Sequence, residues 1–285
     1  MSLEINPMKK LFNNILVPLE MEENAGIAIQ EAIRIAAQWH CHIHLLYYTS
    51  GLPGIDEEKF EGLRAGILER YRPLMTGAIS LIIQWQQGAP EKNIIDYCHR
   101  HEIDLILLGR KRRPFWQIFR RSQDISMDRL LKKVQCPILT VFGQPVISAI
   151  KNIVLPVGRG LPMRKLLFAT YLARTAGSTI HLVSVDGNGK SDEGSRESGE
   201  SLYRSYRLLR ENTNLPVECL TMPGQNLADV AWRYARDIRA DLILIHPGKE
   251  SLLSGFFNGR FTRPLHELYS RALFNVSRIP VMTIS

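Results

Sequence analysis

Asp104-Leu105-Ile106-Leu107-Leu108 returns as Asp241-Leu242-Ile243-Leu244-Ile245, and the reading of that pair decides the fold. Each copy is a short apolar run of the kind that forms a buried strand. Beyond each lies a second run, Cys136-Pro137-Ile138-Leu139-Thr140-Val141 in one case and Ile279-Pro280-Val281-Met282-Thr283-Ile284 in the other. The openings match too: Asn14-Ile15-Leu16-Val17-Pro18-Leu19 is answered by Asn152-Ile153-Val154-Leu155-Pro156-Val157. The two halves correspond from first strand to last. A period this long is that of a whole domain and not of a solenoid repeat. The 285 residues therefore read as two copies of one domain, 1–146 and 147–285.

Between these landmarks the pattern alternates. In the first half it predicts strands at Ile15–Leu19, Ile43–Tyr48, Ile79–Trp85, Leu105–Leu108 and Ile138–Val141. Helices are expected over Ala25–Trp39, where Ile27, Ile29, Ala32, Ile33, Ile35 and Ala36 make one apolar stripe, and over Glu57–Leu74, Lys92–His101 and about Ser126–Val134. The second half follows with strands at Ile153–Val157, Ile180–Val185, Val217–Thr221, Leu242–Ile245 and Val281–Ile284. Its helices are expected at Lys165–Thr175, Ser201–Glu211, Leu227–Ile238 and Arg263–Ala272. Strands separated by helices of ten or more residues imply βαβ units and a parallel sheet, an α/β fold. The polar stretch Asp186–Ser201 has too little apolar surface to order itself and reads as a mobile loop. The join at Gly143–Ser148 is too short to let the halves tumble independently.

Composition narrows the class. The apolar fraction of 45% suffices for two cores. Cys41, Cys98, Cys136 and Cys219 are far apart and form no C-x-x-C pair, which argues against a zinc ribbon, a thioredoxin-type centre or a disulfide framework and fits a reducing compartment. No run of 18 uncharged apolar residues offers a membrane span. Met1-Ser2-Leu3, ahead of a second methionine at Met8, is set aside from fold reasoning, and no signal-peptide core is read there. The net charge of +8 is concentrated: nine basic residues lie between Arg110 and Lys133 against Asp124 and Asp128.

The Ile-Leu-Val-Pro opening strand, the Gly88-Ala89-Pro90 turn before a helix, Asp-Leu-Ile-Leu-Leu-Gly and the closing Cys-Pro-Ile-Leu-Thr-Val strand together resemble the universal stress protein domain, and the chain as a whole resembles its tandem form. The resemblance implies two Rossmann-like, five-stranded parallel-sheet domains of flavodoxin-like strand order, packed as a pseudo-dimer through their last strands. Burying two apolar sheet edges against each other would favour that pairing. In the branch of the family that binds ATP, an acidic residue ends the first strand and a G-x-x-G-x9-G-[ST] loop follows the fourth. Glycines there let backbone N–H groups approach phosphates. The matching positions are Glu20, Gly109, Arg112 and Ser122 in the first half. In the second they are Gly158, His246, Lys249 and Gly259. One loop glycine survives in each half, and a cation, Arg112 or Lys249, stands where the second glycine would be. Two readings stay open: a decayed nucleotide site, or an altered anion site in which the cation grips the ligand.

Other features carry both a sharp and a bland reading. Arg110–Arg121 mixes basic residues with Phe115, Trp116 and Phe119 and suits phosphates, an anionic membrane surface or an acidic protein. Leu252, Leu253, Phe256, Phe257 and Phe261 repeat the apolar positions without most of the charge, so the aromatics read as packing or inter-domain interface residues, with a binding face as the other reading. No nucleic-acid-binding motif accompanies the charge, and nucleic acid is not the expected partner. His42 and His44 alternate on a strand with His40 continuing the row; lacking further convergent ligands, they read as a polar rim and not a metal site. His99 and His101 end a helix, where the dipole favours an imidazolium. No nucleophile elbow, Walker A or H-E-x-x-H motif is present.

The expectation is a non-catalytic cytoplasmic stress-response protein that acts by binding a ligand or a protein partner, needs no cofactor or metal, and is either a monomer or a homodimer. Two alternatives are an ATP-binding switch with weak ATPase activity, and an adaptor for anionic surfaces through residues 110–121.

Overall fold

The computed structural model describes residues 11–20, 26–49, 57–75, 79–109, 130, 133–134, 136–141, 150–186, 193–224, 226–245, 279 and 281–284. The chain divides into two compact units, Lys10–Ile147 and the remainder.

The first unit orders its parallel strands β3-β2-β1-β4-β5, where β1 is Asn14–Glu20, β2 His42–Thr49, β3 Leu81–Gln87, β4 Leu105–Gly109 and β5 Ile138–Val141. Its registers include Ile15 with Ile43, Ile15 with Leu105, and Ile106 with Ile138. Among the described residues the helices seen end to end are α1 Gly26–Trp39, α2 Glu57–Tyr71 and α3 Pro90–Arg100, and Leu130 and Lys133 are also helical. Strands β1 and β4 carry the core, with Ile15, Leu16, Val17, Leu105, Ile106 and Leu107 wholly buried, each such side chain contributing ~1.5–3 kcal/mol.

The expected α/β fold with five parallel strands is present, but the strand order is 3-2-1-4-5 and not the flavodoxin-like 2-1-3-4-5. The residues explain the difference. An edge strand must tolerate water on an exposed flank, and β3, with Gln84, Gln86 and Gln87, is half-exposed along its length. Strand β2 instead buries Ile43, His44, Leu45, Leu46 and Tyr47 and lies inside. Two smaller expectations also shift. Ile27 is 40% exposed although Ala28, Ile29, Ala32, Ile33, Ile35 and Ala36 form the buried stripe. Helix α2 stops at Tyr71 and continues as a 3-10 turn over Arg72–Leu74, because Pro73 has no N–H to give an α-helical ladder.

The second unit repeats the plan. Its order is β8-β7-β6-β9-β10, with β6 Asn152–Pro156, β7 Thr179–Asp186, β8 Val217–Pro223, β9 Leu242–Ile245 and β10 Val281–Thr283, all parallel. The helices are α4 Met163–Ala176, α5 Glu193–Asn212 and α6 Leu227–Asp237. Helix α5 corrects the sequence reading: it starts eight residues before the expected Ser201 and converts most of the expected mobile loop into helix. The ordering comes from contacts that polarity alone conceals. Ser198, Ser201, Leu202, Ser205, Leu208 and Leu209 are buried. Ser205 Oγ donates to the Ser201 carbonyl at 2.7 Å, and the Ser201 hydroxyl accepts from Gly160 N–H at 2.9 Å. Arg204–Glu200 and Arg207–Glu211 pairs at i,i+4 line the wet face. The expected helix at Arg263–Ala272 lies outside the described residues, as does most of the one near Ser126–Val134.

Candidate functional site

In an open α/β sheet, neighbouring strands whose connections leave in opposite directions open a crevice at their carboxyl ends, where ligands bind. The order 3-2-1-4-5 puts that switch point between β1 and β4, and in the second unit between β6 and β9. Glu20 ends β1 and Gly109 ends β4, so two of the six expected site residues lie at the same end of adjacent strands. Gly109 is exposed, and a Cβ placed on it would lie 3.1 Å from the Ala28 Cβ in the first turn of α1. That spacing is tighter than ordinary van der Waals contact. The close approach of helix to strand therefore favours glycine here, with the Ala28 methyl group as its neighbour. Arg112, Ser122, Lys249 and Gly259 lie outside the described residues, as does the basic segment 110–121.

The second unit builds the same place differently. Ala28 is the third residue of α1, and Lys165 is the third residue of α4. Lys165 is wholly buried, and its Nζ donates to the Pro156 carbonyl, the last of β6, at 2.6 Å. A long cationic side chain thus occupies the switch point where the first unit has a methyl group. Burying an ammonium is expensive unless it is well bonded, so the contact to the strand-end carbonyl fixes the side chain inward. The sequence reading missed Lys165 as more than a helix start. The signal was available in the repeat, as the one lysine aligned with a position that is apolar and buried in the other half.

The opposite end of each sheet explains why the repeated motifs are repeated. Asp104 Oδ2 accepts from the N–H groups of Asn13 and Asn14 at 2.7 and 3.0 Å, while Asp104 N–H donates to the Asn14 carbonyl at 2.9 Å. Asp241 takes the same bonds from Lys151 and Asn152 at 2.8 and 3.0 Å. These aspartates clasp the start of the central strand and are far along the strands from the switch point.

Beside each clasp sits a histidine–tyrosine pair with the same separation in sequence. His44 Nδ1 lies 3.0 Å from Tyr97 Oη, and His181 Nδ1 lies 2.9 Å from Tyr234 Oη. The outer nitrogens differ. His181 Nε2 pairs with Asn152 Oδ1 at 3.0 Å, and Glu218 Oε2 lies 3.1 Å from Nδ1. His44 Nε2 is buried without a hydrogen-bond partner among the described residues, and Ile82 takes the register position of Glu218. Burial, followed by the neighbouring His101 and His42, pushes the His44 pKa down from 6.5 to about 4. Burial also lowers His181, with Glu218 pulling the other way. Burial raises Tyr97 to about 12. Tyr97 is also stacked on His101, with ring centroids 4.1 Å apart. The expected polar rim therefore holds for His42, which is exposed and 2.5 Å from Ser80 Oγ, but His44 belongs to the core. Among the described residues no three His, Cys, Asp or Glu side chains converge as metal ligands.

The sheet order defines each unit as a doubly wound α/β domain. Residues 11–141 match the universal stress protein family. The chain shares its fold over nearly its whole length with solved universal stress proteins. One, from Archaeoglobus fulgidus DSM 4304, is 16% identical over 96% of this chain and 96% of its own, with a TM-score of 0.69. Another, from Pseudomonas aeruginosa UCBPP-PA14, is 19% identical over 96% of this chain and 93% of its own, with a TM-score of 0.63. No curated protein matches the chain in sequence. Among the described residues no helix is long and apolar enough to cross a membrane.

Proposed function

We propose that this chain is a stress-response protein that works by binding and not by catalysis, and that its two units divide the labour. The first unit carries the ligand crevice, lined by Gly109, Ala28 and the carboxyl end of β1, with an adenine nucleotide such as ATP as the ligand class. The second unit has its crevice occupied from within and does not bind nucleotide. The observation that carries this reading is the unequal filling of one repeated position. Ala28 puts only a methyl group beside Gly109, which it approaches closely, whereas the buried Lys165 extends a cationic chain to the Pro156 carbonyl. The surviving Glu20 and Gly109 support the same assignment, as does the absence of any catalytic motif in the sequence.

Calorimetric titration of the full chain with magnesium ATP tests it. The reading expects saturable binding tighter than about millimolar, roughly −4 kcal/mol. Gly109→Val should abolish it, since the added side chain would be forced against Ala28. Absence of binding up to that concentration removes the nucleotide from the proposal. Binding that survives Gly109→Val removes the first-unit crevice.

A further inference from the structure

Strand β3 ends the sheet order of the first unit, and among the described residues no strand pairs with its outer flank. Ile43 N–H donates to the Ser80 carbonyl at 2.9 Å, and the register runs from Ile43 with Leu81 to Thr49 with Gln87. Backbone direction alternates along a strand. Ile82, Gln84 and Gln86 therefore bond to β2, while Leu81, Ile83, Trp85 and Gln87 turn their N–H and carbonyl groups outward. Such an open ladder is a template for another strand unless a charge, a proline or a bulge blunts it. Leu81-Ile82-Ile83-Gln84-Trp85-Gln86-Gln87 holds no charge and no proline, in a chain of net charge +8, and Ile82 is 37% exposed. The second unit guards the same edge. In register, β8 puts Glu218 where β3 has Ile82 and Pro223 where β3 has Gln87, supplying a carboxylate and a residue without an N–H. Of the two edges, that of the first unit is the bare one.

We propose that β3 is the interface through which two copies of this chain associate, antiparallel about a twofold axis at Gln84. The residues of the strand name the occupant. This register aligns all seven residues of one copy with the seven of the other. It sets outward-turned residues opposite each other, Leu81 with Gln87 and Ile83 with Trp85, each pair exchanging two backbone bonds. Ile83 and Trp85 are half-buried, and Trp85 stands beside Phe60 with ring centroids 6.4 Å apart; across the axis they become pairs of a β-branched and an aromatic residue, the kind that stabilises sheets. On the other face Gln84 meets its own copy, where one carboxamide donates to the other. No like charges meet, because the strand has none. Pairing of one edge with itself is isologous and closes at two copies, and one strand from each makes a small, reversible interface.

The test uses the full chain carrying Cys219→Ser, which removes the exposed thiol. Sedimentation velocity should show a concentration-dependent passage from one chain to two. Gln84→Glu sets two carboxylates opposite each other at the axis and should weaken association about tenfold or more; Gln84→Lys should do the same with two ammonium groups. An equimolar mixture of these variants should recover the dimer, since opposite charges then face each other, and recovery also shows that both chains are folded. Gln84→Cys should close an intermolecular disulfide on mild oxidation, because neighbours at a non-hydrogen-bonded position lie about 4.5 Å apart at Cα. Gln86→Cys, opposite Ile82, should not. A single-chain mass at every concentration up to about millimolar, masses that grow past two chains, a dimer indifferent to the Gln84 changes, a mixture that stays monomeric, or Gln86→Cys chains that link as readily would overturn the proposal.

Discussion

Replacing His44 with Gln should remove an acid lability that belongs to the first unit. In the neutral ring, Nδ1 shares a hydrogen bond with Tyr97 at 3.0 Å, and Nε2 has no partner among the described residues. Whichever ring nitrogen carries the proton in the neutral form, protonation leaves Nε2 as an unpartnered N–H on a buried cation, at 4% exposure and beside His101. The pKa accordingly falls from 6.5 to about 4. Because the folded value lies below the unfolded one, the unfolded chain binds the proton first. His44 then leaves stability untouched above pH 6.5, subtracts from it progressively as pH falls toward about 4, and adds nothing further below. That interval is worth ~3 kcal/mol in full, and relaxation of the surrounding groups around the buried charge brings the expectation to about 2 kcal/mol. The assay is the urea dependence of amide hydrogen exchange in β2 and α3 for wild type and His44→Gln between neutral pH and pH 4, which confines the readout to the first unit. Carboxylate titrations are common to both chains and cancel in the difference. The stability gap between the two chains should change by about 2 kcal/mol across the window, with the variant gaining on wild type as pH falls. A gap that stays constant would refute the reasoning.

Two further perturbations use the repeat as its own control. Asp104→Ala strips a charged acceptor from two backbone N–H groups, one of them exposed, and should lower first-unit stability by about 2 kcal/mol in urea denaturation; Asp241→Ala should do the same to the second unit. Glu102 and Arg239 occupy matching exposed turns with φ of +47° and +52°, a region that penalises side chains. Glycine at either position should raise the thermal midpoint by about 1–3 °C once its own entropy is subtracted, and a fall would contradict the strain argument.

The architecture was legible because repetition supplies two readings of each element. Asp104 and Asp241, Asn14 and Asn152, and the apolar runs behind them announced central strands twice over. Strand order was not legible from apolar character alone, although the glutamines of β3 carried the information that it is an edge. The early start of α5 was hidden because its buried face is partly serine, with the Ser201 and Ser205 hydroxyls bonded to the backbone. At the site, Glu20 and Gly109 fell where the motif placed them, at adjacent strand ends. Lys165 did not stand out, since a lysine near a helix start is ordinarily a solvated residue. Its burial depends on the strand-end carbonyl it meets in three dimensions. His44 was hidden for the converse reason: alternation on a strand gives its face but not what packs upon that face, and Tyr97 comes from a distant helix.

Native mass spectrometry of the full chain in magnesium ATP, counting nucleotides per chain, addresses the inequality of the two crevices most directly. One nucleotide per chain is expected, lost in Gly109→Val and retained in Lys165→Met. Two nucleotides per chain, or a single one that disappears with Lys165 and not with the Gly109 change, would contradict it.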